Sequence, residues 1–173
     1  GLGGYLVKPI RRSDLQQTIS IALGRSKSGF SPSPQGAALP TAPQGRSLRI
    51  LLVEDSPDNQ VLIQSYLKNT IHRVDLADNG QIGVAKFQNG HYDLILMDMQ
   101  MPVMDGITAT RTIRRWEQEQ GLPAVQIIAL TALALKEESA RIFEAGCNAH
   151  MTKPLKRTTL LELLRAYEKT RAQ

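Results

Sequence analysis

The sequence predicts an α/β protein built as a doubly wound parallel sheet with helices on both faces. Three observations carry that prediction. Between Leu48 and Lys169, apolar runs of strand length alternate with segments of helical period, five times over. The runs LRILLVED, YDLILMD and VQIIALT are apolar almost without interruption, as strands buried on both faces are. The polar residues Glu54 and Asp55, Asp98 and Thr131 close those runs, at the carboxyl ends where such a sheet gathers its functional groups.

The elements follow in order. The first strand is LRILLVED, Leu48 to Asp55. In SPDNQVLIQSYLKN, Pro57 and Asp58 mark a helix start, with Val61, Leu62, Ser65 and Tyr66 at helical spacing behind them. A short strand, HRVDLA, leads to a helix from about Gly80 to Gln88. The buried strand YDLILMD, the loop MQMPVMDG and the helix ITATRTIRRWEQ come next. VQIIALT, the helix LKEESARIFEAG, the strand AHMT and a last helix from about Arg157 to Lys169 complete five β-α units. Right-handed connections then bring every strand's carboxyl end to one edge, and Lys153 joins the polar set there.

Ahead of this domain, GRSKSGFSPSPQGAALPTAPQGR carries Pro32, Pro34, Pro40 and Pro43 among Gly and Ser. It has too little periodic apolar surface to offset the entropy of ordering, so residues 25–46 are expected to be a flexible linker and residues 47–173 the domain. The opening GLGGYLVKPIRRSDL repeats the order of residues in GCNAHMTKPLKRTTL, with Lys8 matching Lys153 across 145 positions. That offset is one unit plus a linker, too long for a solenoid repeat. Residues 1–24 are expected to be the closing strand and helix of an upstream domain of the same kind, and the chain a piece of a longer protein.

Composition bounds the rest. Of 173 residues, 42% are apolar, enough for one sizeable core, and no apolar run approaches the ~20 residues of a membrane helix. One cysteine, Cys147, excludes an internal disulfide framework, and the cytoplasm is the expected compartment. The net charge of +5 resides entirely in residues 1–46, the remainder being neutral, and only one helix follows Lys153. Nucleic acid is therefore not an expected partner, since a helix-turn-helix reader has no room.

Three carboxylates in one cleft, Glu54, Asp55 and Asp98, repel each other unless a hard cation neutralises them. An all-oxygen set suits Mg²⁺, which keeps several waters and takes a phosphoryl oxygen as a further ligand. Lys153, as a point charge, and Thr131, as a donor, would complete a cradle for a phosphoryl group carried on a carboxylate.

Glu54-Asp55, Asp98 followed by MQMPVMDG, Thr131-Ala132 and Lys153-Pro154 together resemble the receiver domain of bacterial two-component response regulators, over residues 48–170. DMQMPVMDG with LVEDSPDN is most similar to receivers attached to hybrid sensor histidine kinases. The resemblance implies a flavodoxin-like sheet of order 2-1-3-4-5 with five helices. It implies that Asp98 takes a phosphoryl group from the phosphohistidine of a histidine kinase or histidine phosphotransfer domain. Asp55, Asp98 and the backbone carbonyl of Gln100 would hold Mg²⁺, with Glu54 acting through water. Lys153 would pair with Asp98 and then with the phosphoryl oxygens. Thr131 would move inward, His150 would rotate, and the surface of the fourth helix, fifth strand and fifth helix would change shape, with a homodimer through that surface as a further expectation. His150 stands where the family usually has Tyr or Phe, as Tyr5 does in the opening segment. Gln100 and Leu133 would flank the path of the hydrolytic water; an apolar Leu133 cannot orient it, so a long-lived phosphoryl group is expected.

Plainer readings hold for other residues. Pro57 and Pro102 serve loop geometry, and Gly106 serves close packing. Met97, Met99, Met101 and Met104 fill gaps. Trp116 and Cys147 are structural or incidental, and His72 and His91 lack metal-ligand spacing. A Mg²⁺ phosphatase of the haloacid dehalogenase type needs a second Asp two residues after its nucleophile, where this chain has Gln100. The standing alternative is a phosphorylation-independent interaction module. No turnover of a free substrate is expected of the domain itself.

Overall fold

The computed structural model describes residues 46–132 and 136–171. The expectations for residues 1–24, for the linker up to residue 45 and for Leu133 lie outside the described residues. Five strands, β1 (Arg49–Val53), β2 (Arg73–Ala77), β3 (Leu94–Asp98), β4 (Gln126–Thr131) and β5 (Ala149–Thr152), form one sheet of order β2-β1-β3-β4-β5. Every pairing is parallel. The helices are α1 (Pro57–Leu67), α2 (Gly80–Asn89), α3 (Gly106–Gln120), α4 (Lys136–Ala145) and α5 (Arg157–Arg171).

The near-continuous apolar strands acquire their meaning from the period of two. In β1, β3 and β4, Ile50, Leu52, Leu94, Leu96, Ile128 and Leu130 face the layer of α1 and α5, where they meet Ile63, Leu67, Leu160 and Leu164. Their neighbours Leu51, Val53, Ile95, Met97, Ile127 and Ala129 face the other layer, against Val84, Phe87, Ala109, Ile113 and Ile142. On that second side Trp116 of α3 stands edge-on to Phe87 of α2, ring centroids 5.6 Å apart. Met97 and Met99 are buried in this core, and Met101 and Met104 pack partly buried against it.

Short polar residues set the helix starts. Ser56 caps α1 by accepting from the Asn59 amide at 3.5 Å, with Pro57 as the first helical residue. Asn79 caps α2 and Asp105 caps α3, their carboxamide and carboxylate oxygens accepting from Ile82 N at 3.0 Å and Thr108 N at 2.8 Å. Gly106 fulfils its packing role: a Cβ there would lie 2.1 Å from the main-chain oxygen of Asp98, so only glycine lets α3 begin directly against the end of β3.

Of the residues at helical spacing in α1, Val61 and Leu62 are 64% and 37% exposed, and the helix buries Ile63 and Leu67 with Tyr66 beside them. Three aliphatic residues in succession satisfy a 3.6-residue period in more than one register, and packing against the sheet selects the one that buries Ile63 and Leu67.

Candidate functional site

Four strand ends build the site. Glu54 and Asp55 follow β1, Asp98 closes β3, Thr131 closes β4, and Lys153 follows β5. Main-chain bonds between strand ends hold them in place: Met99 N donates to Leu130 O at 3.0 Å, and Lys153 N donates to Thr131 O at 2.8 Å. Glu54, Asp98 and Thr131 are buried, at 0%, 3% and 1% exposure, whereas Asp55 is exposed.

The Lys153 ammonium sits between two carboxylates. Its Nζ lies 2.7 Å from Asp98 Oδ2 and 2.8 Å from Glu54 Oε2, the second being an ion-pair contact not aligned as a hydrogen bond. Asp98 Oδ1 accepts from the Gln100 amide at 3.1 Å. Burial pushes the Asp98 carboxyl above its ordinary value and the charge of Glu54 adds to this, against the pull of Lys153 and the Gln100 N–H. For Lys153, burial works to depress the ammonium, but the hydrogen bond to Asp98 and the close carboxylates of Asp98 and Glu54 outweigh it and the net direction is upward.

Glu54, Asp55 and Asp98 each place a carboxylate oxygen within 4.8 Å of the others, so the trio that the sequence grouped is grouped in space. One ammonium against three carboxylates leaves an excess of negative charge in a partly dry cleft. The donor set is all oxygen, and buried Glu54 Oε2 has an ion-pair contact but no hydrogen bond. Both features fit a hard divalent cation.

Two residues of the site escaped the sequence reading. Asn59 Nδ2 donates to Glu54 Oε1 at 2.9 Å, and Gln60 Nε2 donates to the Glu54 main-chain oxygen at 2.7 Å and to Asp78 Oδ1 at 2.9 Å. Their signal is a polar pair in the first turn of a helix that follows the acidic strand end within two residues. His150, by contrast, is not part of the carboxylate cluster. It lies on β5 in register with Ala129, and its ring meets Phe143 of α4 edge-on, with centroids 5.7 Å apart.

A parallel sheet of this order, with an acidic trio, a threonine and a lysine at adjoining strand ends, defines the receiver class of signalling domains. The profile of the response regulator receiver domain matches residues 50–165, and the chain belongs to that family. It is 45% identical over 118 residues to hybrid signal transduction histidine kinase M of Dictyostelium discoideum, covering 67% of this chain and 5% of that protein. It is 31% identical over 169 residues to the signal transduction histidine-protein kinase BarA of Escherichia coli K12, covering 97% of this chain and 17% of that one. The chain thus spans less than a fifth of either relative. Among solved structures, it is similar to the receiver domain of sensor histidine kinase PA1611 from Pseudomonas aeruginosa, which has a magnesium ion coordinated in its active-site cleft. The TM-score is 0.64 at 40% identity, over 72% of this chain and 99% of that one. The Saccharomyces cerevisiae Ssk1 receiver, solved with the histidine phosphotransfer protein Ypd1, gives a TM-score of 0.71 at 32% identity, over 75% of this chain and 94% of that one.

Proposed function

We infer that the domain accepts a phosphoryl group on Asp98 from the phosphohistidine of a histidine kinase or histidine phosphotransfer partner. The observation that carries this is the placement of buried Asp98 with Lys153 at 2.7 Å inside a trio of carboxylates. A carboxylate oxygen of Asp98 attacks phosphorus, the P–N bond breaks, and the imidazole leaves. Lys153, already bound to Asp98, transfers its charge to the phosphoryl oxygens as they arrive. Asp55, Asp98 and the Gln100 carbonyl would hold Mg²⁺, with Glu54, fully buried and occupied by Lys153 and Asn59, acting through water. When bound, Mg²⁺ would neutralise the carboxylates and the developing charge on the phosphoryl oxygens.

The output is a change of the α4-β5-α5 surface, with Thr131 and His150 as its switch residues. Phe143, 47% exposed on α4 and in contact with His150, lies where that change would be read, and a homodimer through this face is part of the proposal. Within the described residues no helix is long and apolar enough to cross a membrane. The test is intact-mass analysis after incubation with Mg²⁺ and a small phosphodonor. One acid-labile phosphoryl group is expected on the native chain and none on Asp98→Asn. A native chain that gains no phosphoryl group would leave the phosphorylation-independent interaction module as the reading, and a variant that still gains one would displace Asp98 as acceptor.

A further inference from the structure

The hydroxyl of Thr131 is already engaged by a carboxylate. Its Oγ1 donates to Glu138 Oε1 of α4 at 3.2 Å. The main chain of Thr131 has little freedom: its oxygen accepts from Lys153 N at 2.8 Å, it pairs with Thr152 across the sheet, and the residue is 1% exposed. Its hydroxyl therefore changes partner by rotation about χ1, between the few staggered wells a β-branched side chain allows. A hydrogen bond to an ionised acceptor is stronger than one between neutral groups.

We propose that Glu138 is a positioning residue that holds the Thr131 hydroxyl on α4, so that a phosphoryl group on Asp98 must win the hydroxyl from it; this rests on the acceptor reading above. The first turn of a helix favours a carboxylate through the macrodipole alone. What sets Glu138 apart from its neighbour Glu137 is that it binds the one hydroxyl at the end of β4. On release, Glu138 stays solvated among cations. With Arg111 of α3 and Arg141 of its own helix it lines a cleft of about 310 Å³, and neither arginine has an ion-pair partner among the described residues. The bond thus biases an equilibrium between two positions of Thr131, and a ligand that needs the second position binds more weakly by the fraction of molecules held in the first.

The experiment titrates beryllofluoride with Mg²⁺, followed by amide chemical shifts, on the native chain, Glu138→Ala, Glu138→Gln, and each in a Thr131→Val background. Thr131 χ1 populations are measured separately from three-bond couplings, without metal or fluoride. Loss of the acceptor in Glu138→Ala should tighten apparent affinity about fivefold, and the neutral acceptor of Glu138→Gln about twofold. The χ1 populations should shift in the same order, and Glu138→Ala should give no gain once Thr131 is Val, because the coupling runs through the hydroxyl. Unchanged affinity in Glu138→Ala, or an equal gain with Thr131→Val, which would mark simple charge repulsion, overturns the proposal while leaving the acceptor reading intact. A native chain that takes no beryllofluoride at Asp98 overturns both.

Discussion

At the scale of single residues, Asp98 is held at a cost. Its carboxyl is raised above the ordinary range because burial disfavours the charge, with Glu54 adding to the effect. For a carboxyl raised on folding, the stabilising contribution is complete below the unfolded value of about 3.9 and is lost as pH rises through the folded value. At neutral pH the ionised group therefore opposes folding. Asp98→Asn, which keeps an oxygen for Lys153, should raise the melting temperature by roughly 3 °C in metal-free buffer. Added Mg²⁺ should stabilise the native chain more than the variant, closing or reversing that gap. A calorimetric scan of both proteins with and without Mg²⁺ checks this; an unchanged or lower melting temperature for Asp98→Asn without metal would contradict it. These residues were legible in sequence because each ends a strand, and a parallel sheet brings such ends together whatever the loops between them do. Glu138 was not legible, since a first-turn glutamate is common and nothing in its spacing announces that it would reach Thr131.

At the scale of elements, α1 separates what folds the domain from what is left on its surface. Ile63 and Leu67 are buried against the sheet, whereas Val61 and Leu62 stand out on the helix whose first turn holds Glu54 through Asn59 and Gln60. Ile63→Ala should cost about 2–5 kcal/mol of stability. Val61→Asp with Leu62→Asp should leave stability within about 0.5 kcal/mol, yet slow phosphoryl transfer from a histidine phosphotransfer protein at least tenfold while leaving transfer from a small phosphodonor intact. Equal slowing with both donors would assign these side chains to the site rather than to docking. The sequence showed that a helix stood here and where it began, from Pro57 and Asp58. It could not show which aliphatic residues turned inward, because a run of three offers the sheet more than one choice, and only tertiary packing makes it.

At the scale of the whole molecule, contacts far from the carboxylates bring the beginning and end of the domain together. His72, just before β2, accepts from Leu48 N at 3.3 Å through Nδ1, and its Nε2 lies 3.8 Å from Glu168 of α5. Burial lowers the imidazole below its ordinary value, the charge of Glu168 opposing this in part. A lowered histidine contributes stability that is present above its unfolded value of about 6.5 and is lost as pH falls through the folded one. The melting temperature should thus drop between pH 7.5 and 5 in the native chain, and drop less in His72→Asn, which keeps an acceptor for Leu48 N but does not titrate. Identical pH profiles would remove His72 from the acid response.

The edge-on pair of Trp116 and Phe87 has an optical consequence. Trp116 is the chain's one tryptophan, and it follows the start of α3 by ten residues, about 15 Å along the helix axis from the point where Gly106 meets Asp98. Its indole is thus a fluorophore set in the packing between α2 and α3, away from the strand ends that carry the carboxylate cleft. Its emission should stay constant as Mg²⁺ is titrated into the folded protein and should shift to the red, in a single step, when the two helices part in denaturant.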